Sequence, residues 1–163
     1  MTLLVFENKP KIVEAWADGR TTYQSEILTD FSNKLDVGPD FIVGHCGDAA
    51  SGVVAKELIE YTDPVGTFRN QYARSDDYHD IDALIIIAQI GSPIRVFTFD
   101  GFEYEINTRF AAFGSGSHIA RGYLAGFFAR PTRHKVDMTK LFDFVGEIES
   151  SVGPLTTCHK VDR

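Results

Sequence analysis

The sequence is poor in the features that staple, anchor or metallate a protein. It has two cysteines, Cys46 and Cys158, too few for a disulfide framework and not arranged as a CxxC metal pair. They read as reduced, partly buried thiols. Five scattered histidines (His45, His79, His118, His134, His159) show no zinc-ligand spacing beside a cysteine pair, so no metal is expected. The longest apolar run, Ala83 to Ala88, is far below a membrane span, and the N-terminus has neither a positive cap nor an apolar segment of a secretory signal. No block of Lys or Arg offsets a net charge of −7, which argues against nucleic acid or an anionic membrane as partner. There is no internal repeat and no low-complexity stretch. What remains is an intracellular, cytoplasmic protein of 163 residues, 44% apolar and 24% charged, expected to form one domain over 1–163 with a core that needs no staples.

The pattern of apolar residues predicts strands over Leu3–Phe6 and Lys11–Ala17, turning at Asn8-Lys9-Pro10. Polar residues dominate from Thr21 to Asn33. A short strand, Phe41 to Val43, runs into Gly44-His45-Cys46-Gly47, after which Asp48 is placed to cap a helix reaching about Tyr61 with Ala50, Val54 and Leu58 on one face. Thr62 to Asp80 is turn-rich, with room for one short helix. Asp82–Ile90 reads as a buried strand, and Asp100-Gly101 between Ile94–Phe99 and Phe102–Ile106 is a hairpin signal. Phe110–Phe113 leads into Gly114-Ser115-Gly116-Ser117, where Ser117 can cap a helix to about Phe128 with an apolar stripe from Ile119 to Phe128, stopped by Arg130-Pro131. A second helix, Met138 to Ser150, turns Leu141, Phe142, Val145 and Ile148 inward, and Leu155–Val161 is a last strand. Two sheets with a helix layer on each outer face satisfy this order.

Taken singly, the candidate sites are bland. Gly114-Ser115-Gly116-Ser117 lacks the third glycine of a dinucleotide fingerprint and the lysine of a P-loop, so no nucleotide cofactor is implied. Asp76-Asp77 and Asp80-Ile81-Asp82 read as solvated loop faces. The spacing from the N-terminus is more informative. If Met1 is removed, Thr2 places a hydroxyl beside a free α-amine, a nucleophile with its own base. An α-amine has an unperturbed pKa of about 7.7–8.0, near the value wanted of a base at neutral pH.

Counted from Thr2, Asp18-Gly19-Arg20 begins 16 positions on and Lys34 lies 32 on. With Val43-Gly44-His45-Cys46-Gly47-Asp48-Ala49-Ala50 and the Gly114-Ser115-Gly116 segment, these elements resemble the proteasome β-type subunits and the HslV protease, threonine members of the Ntn-hydrolase superfamily. The resemblance covers the chain, with a shortened middle near Thr62 to Asp80. It implies an α/β (α+β) fold, a four-layer αββα sandwich of two antiparallel sheets between helix layers. It also implies a threonine peptidase activated by loss of Met1 alone. By resemblance Thr2 is the nucleophile, Lys34 the adjacent cation, Asp18 its partner, Gly47 the oxyanion donor, and Ser115 a hydroxyl beside the amine. Glu149 falls where many active subunits carry an aspartate, and Val152 where they carry a serine; valine supplies no hydrogen bond. Thr21, Ser32, His45, Ala49 and Val53 would line the substrate site, small or neutral apart from His45 at lower pH, and favour apolar or small P1 residues. The implied partners are copies of the chain in a homo-oligomeric ring, an ATP-dependent unfoldase, and peptide or unfolded-protein substrates. The competing reading is a subunit of the same fold that assembles or binds without catalysis; an amidase acting on small amides is a third.

Overall fold

A computed structural model describes residues 2–23, 26–129 and 135–162. Met1, whose removal the sequence reading requires, and Arg130-Pro131, read as a helix stop, lie outside them. The chain opens on a hairpin of β1 (Leu4–Lys9) and β2 (Ile12–Asp18). Asn8 and Lys9 still pair with Val13 and Ile12, so the turn is Pro10-Lys11, later than expected. Proline has no N–H to give the ladder and presets φ for the first turn position, so pairing continues up to it. β10 (Phe110–Phe113) and β11 (Leu155–Asp162) flank this hairpin in a sheet of order β10-β1-β2-β11.

The second sheet runs β5-β6-β7-β8-β9 from β5 (Leu35–Val37), β6 (Phe41–Gly47), β7 (Ala83–Gln89), β8 (Ile94–Thr98) and β9 (Glu103–Ile106), again antiparallel. The Asp100-Gly101 hairpin joins β8 to β9, with a loop one residue longer than expected: Thr98 N–H donates to Phe102 O at 2.9 Å around Phe99-Asp100-Gly101. Gly101 takes φ +89, the left-handed position of a three-residue hairpin loop. Thr21–Asn33, read only as polar, contains a two-stranded ribbon, β3 (Thr21–Tyr23) and β4 (Glu26–Thr29).

Alternation along the strands builds the layers. Leu4, Phe6, Val13 and Ala15 of the first sheet meet Ile42, Ile86, Ala88 and Val96 of the second in one apolar cluster between the sheets. The opposite side of β1, Val5 with Leu3 just before the strand, joins Trp16, Ala112 and the helices α3 (Ser117–Phe128) and α4 (Met138–Ile148). Phe41, Val43, Ile85, Ile87 and Phe97 face the other way, onto α1 (Ser51–Leu58) and α2 (Pro64–Gln71). Both faces of β7 are therefore covered, which is why Ala83 to Ala88 reads as an unbroken apolar run. The result is the four-layer αββα sandwich.

Helix ends depart from the sequence reading. Asp48 caps the turn before α1, accepting from Ala50 N–H at 2.9 Å, and the N-cap position itself is Ala50, which is exposed; Ser51 takes its place on the buried face with Val54, Ala55 and Leu58. The helix stops at Leu58, followed by a looser turn to Tyr61. Gly116, not Ser117, is the N-cap of α3. α4 ends at Ile148, which is 59% exposed rather than inward, and the outer end of the α3 stripe, Phe128, is also half-exposed. α2 is the short helix allowed for in the turn-rich segment. Asp63 caps it, Pro64 occupies its first turn, and Phe68 packs on Tyr72, Phe97 and Phe99.

Candidate active site

Asp18 ends β2 and is 0% exposed. Its backbone N–H donates to Leu3 O at 3.1 Å, which sets the end of β2 beside the residue before β1. Five donors converge on its carboxylate. Oδ1 accepts from the Thr2 hydroxyl at 2.9 Å, from Leu3 N–H at 2.7 Å and from Lys34 Nζ at 2.9 Å. Oδ2 accepts from Gly153 N–H at 3.0 Å and Arg20 N–H at 3.2 Å. A buried carboxylate is tolerated only with this kind of satisfaction. Lys34, 6% exposed, also donates to Arg20 O at 2.6 Å. Burial pushes its pKa below the usual lysine value, and the Asp18 charge opposes that shift. Thr2 is 3% exposed.

Behind Thr2, β10 turns into α3. Gly114 has φ +90, and a Cβ there would stand 2.1 Å from Thr2 O. The turn approaches the threonine so closely that only glycine fits. Gly114→Ala is therefore expected to displace Thr2 and to lower Tm by several degrees at roughly 1–3 kcal/mol of strain, measurable by thermal unfolding; an unchanged Tm would contradict this packing.

The next residue, Ser115, has its Oγ 3.4 Å from Thr2 O and 3.0 Å from the hydroxyl of Ser151. Ser151 donates to Glu149 Oε1 at 2.6 Å, and its N–H donates to the same oxygen at 3.2 Å. These bonds hold the Glu149 pKa below the ordinary glutamate value. Glu149 thus reaches the site through Ser151. Val152 is 1% exposed and packs in the apolar cluster under α3 and α4, where its side chain would meet any Cβ added at Gly116. The hydroxyl sought at position 152 stands one residue earlier. Sequence reasoning missed Ser151 because a family register pointed to its neighbour; the only signal was a second serine in Ser150-Ser151.

Thr2, Cys46 and Gly47 line two clefts. The larger, about 1200 Å³, is bordered by Lys34 and by all five expected substrate-site residues, Thr21, Ser32, His45, Ala49 and Val53. It also carries Asp36, Lys56, Glu57 and Glu60, which make its outer wall more charged than the sequence reading supposed. Thr21 and Ser32 hydrogen-bond each other through their hydroxyls. His45 lies 3.1 Å from Ser51 Oγ through Nδ1 and 3.3 Å from Asn33 O through Nε2, and burial depresses its pKa, so its charging requires more acid than an exposed imidazole. The smaller cleft, about 670 Å³, is bordered by Ser115, Asp82, Tyr104 and Arg121. Gly47 closes β6 with φ +110, and a Cβ there would lie 2.4 Å from Asp82 O. Cys46, though adjacent, is buried, and its thiol is pushed up to about 11, so it is protonated and not a competing nucleophile at neutral pH. Cys158 is exposed, not partly buried as expected. Among the described residues no group of three or more His, Cys, Asp or Glu side chains is arranged to hold a metal, and no helix is long and apolar enough to cross a membrane.

No family model matches the chain, and no curated protein matches it by sequence. Solved structures do match by shape. Eukaryotic HslV from Trypanosoma brucei superposes with a TM-score of 0.77 at 12% identity, covering 99% of each chain. BPH from Thiobacillus denitrificans in complex with epoxomicin gives 0.67 at 17% identity over 98% of each chain. BPH without the inhibitor gives 0.65 at 18% identity, covering 98% of this chain and 97% of that one. Identities of this size speak to architecture, and with the four layers and the antiparallel order of both sheets they establish that the chain has the HslV/proteasome-like Ntn-hydrolase fold.

Proposed function

We propose that this chain is an N-terminal threonine hydrolase that cleaves peptide bonds through an acyl-enzyme on Thr2 after loss of Met1. One observation carries the reading. A single buried carboxylate oxygen of Asp18 gathers the Thr2 hydroxyl and the Lys34 ammonium where two clefts meet. A structural role alone does not require a buried lysine beside a hydroxyl, because desolvating the pair costs more than packed apolar side chains of the same volume.

In the proposed mechanism the freed α-amine of Thr2 takes the hydroxyl proton, and Oγ1 attacks the substrate carbonyl. Lys34 supplies positive charge beside the forming alkoxide and lowers the basicity of the amine towards neutral pH. Gly47 N–H holds the oxyanion of the tetrahedral intermediate. The protonated amine gives its proton to the leaving nitrogen, which leaves an ester on Thr2. A water deprotonated by the same amine then hydrolyses that ester and regenerates the threonine. The cleft of about 1200 Å³ takes the acyl-side residues of the substrate. BPH was solved with epoxomicin, a peptide epoxyketone, in complex, and the same class of probe suits this chain.

The reading extends to a homo-oligomeric ring that encloses the sites, fed with unfolded polypeptide by an ATP-dependent unfoldase. Phe31 and Phe102, 89% and 73% exposed, and the apolar outer edges of α3 and α4 supply surface that such packing would bury. The inactive-subunit alternative draws on Val152, an apolar residue where a serine was expected.

Intact mass before and after incubation with a peptide epoxyketone tests the proposal. The probe's ring adduct requires both a threonine hydroxyl and a free α-amine. Loss of Met1 with one adduct is the expected result. A processed chain that forms no adduct, or retention of Met1, would favour the inactive subunit.

A further inference from the structure

Resting on the threonine-hydrolase reading, we propose that Ser151 is a positioning residue that turns Ser115 into a hydrogen-bond acceptor for the α-amine of Thr2. It would supply from position 151 the hydroxyl that Val152 lacks. The direction of each bond follows from counting protons. Ionised Glu149 accepts only, so the 2.6 Å bond uses the hydroxyl proton of Ser151. Ser151 has no second hydroxyl proton, so its 3.0 Å contact with Ser115 must use the proton of Ser115. Ser115 Oγ then presents lone pairs alone towards Thr2. The alternative use of its proton, donation to Thr2 O at 3.4 Å, is long for an O–H···O bond, and the 3.0 Å contact with Ser151 is the stronger claim on it. A free amine at Thr2 brings the donors that this oxygen lacks, and accepting one of them aims the nitrogen lone pair at the threonine hydroxyl.

The loop carrying Ser151 is fixed to the rest of the site. Gly153 N–H bonds Asp18 Oδ2 at 3.0 Å. Arg20 Nη1 donates to Ser150 O at 2.8 Å and to Val152 O at 3.3 Å, while its Nε bonds Asp30 at 2.7 Å. The carboxylate that holds the nucleophile and the loop that orients its base are therefore in one hydrogen-bonded unit. Ser151 is 5% exposed, so its hydroxyl is committed to these partners rather than to bulk water.

The test compares Ser151→Thr with Ser151→Val, which add the same volume and differ by the hydroxyl, in single-turnover reaction with a peptide epoxyketone. Ser151→Ala, which adds no volume, is measured beside them so that a folding failure of the larger variants does not leave the question open. The expected result is a loss of about 10- to 100-fold in the maximal inactivation rate for the valine and alanine variants. The inhibitor concentration at half-maximal rate should stay within about twofold and the threonine variant close to wild type, since the hydroxyl orients the base and does not bind the probe. Equal maximal rates with and without the hydroxyl, or a loss confined to inhibitor affinity, would overturn the assignment. Wild-type protein that forms no adduct would overturn the hydrolase reading and this inference together, an outcome distinct from either of the others.

Discussion

Thr2→Ala is expected to abolish peptide hydrolysis and epoxyketone labelling while leaving a folded protein. Removing the attacking atom of a covalent hydrolase costs on the order of 10⁶ in kcat, because no neighbouring group substitutes for it. The candidate neighbours here are poor replacements: the Cys46 thiol is protonated, and the Ser115 hydroxyl is engaged by Ser151. The structural cost is small by comparison. The variant loses one hydrogen bond to a charged acceptor, about 1.5–3 kcal/mol, while Asp18 keeps four other donors. Hydrolysis of a fluorogenic peptide and thermal unfolding, measured on the same preparation, separate the two effects. Undiminished hydrolysis by the variant would remove Thr2 from the mechanism.

The second large effect is on the fold. Asp18→Ala strands the Lys34 ammonium in the interior with Arg20 O as its remaining hydrogen-bond partner among the described residues, and it orphans the N–H groups of Leu3 and Gly153. Breaking a buried ion pair from one side costs about 3–5 kcal/mol. For a chain of this length that corresponds to a fall in Tm of roughly 10 °C. Adding Lys34→Met to this variant removes the stranded charge and is expected to restore part of the loss, so the two changes should be strongly non-additive. A fall of under about 2 °C for Asp18→Ala alone would mean that the cluster contributes little to stability.

Much of this architecture was legible in the sequence for a simple reason. Strands buried on both faces leave short unbroken apolar runs, and helices buried on one leave a period of 3.6, so β1, β2, β7, α3 and α4 were placed by their apolar residues. The ribbon of β3 and β4 left no such trace, since Ile27 and Leu28 are more than half exposed and its strands are three and four residues long. Helix ends were misplaced where backbone groups rather than side chains make the cap, as at Gly116. At the candidate site, Thr2, Asp18 and Lys34 were brought together by the family resemblance; the hairpin, which holds Leu4 opposite Ala17 and so brings Asp18 to Leu3, is the physical reason that the Thr2–Asp18 spacing matters. Ser151 was not legible in this way. It lies in an irregular loop between α4 and β11, where sequence spacing does not determine which hydroxyl points inward. The charged residues of the larger cleft's outer wall come from α1, the turn after it and β5, and were invisible until those elements were placed around it.

The contacts that hold Thr2 have a consequence for maturation. Asp18 grips it through its own hydroxyl and through Leu3 N–H, and Gly114 and Ser115 approach its carbonyl. Each of these atoms lies on the C-terminal side of the bond that an aminopeptidase would cut. Trimming therefore leaves these contacts in place. Under the proposed mechanism, folding sets these contacts before the amine of Thr2 is exposed, so a folded precursor is a loaded mechanism with its safety on, and the timing of cleavage, not the folding of the chain, decides when it can fire.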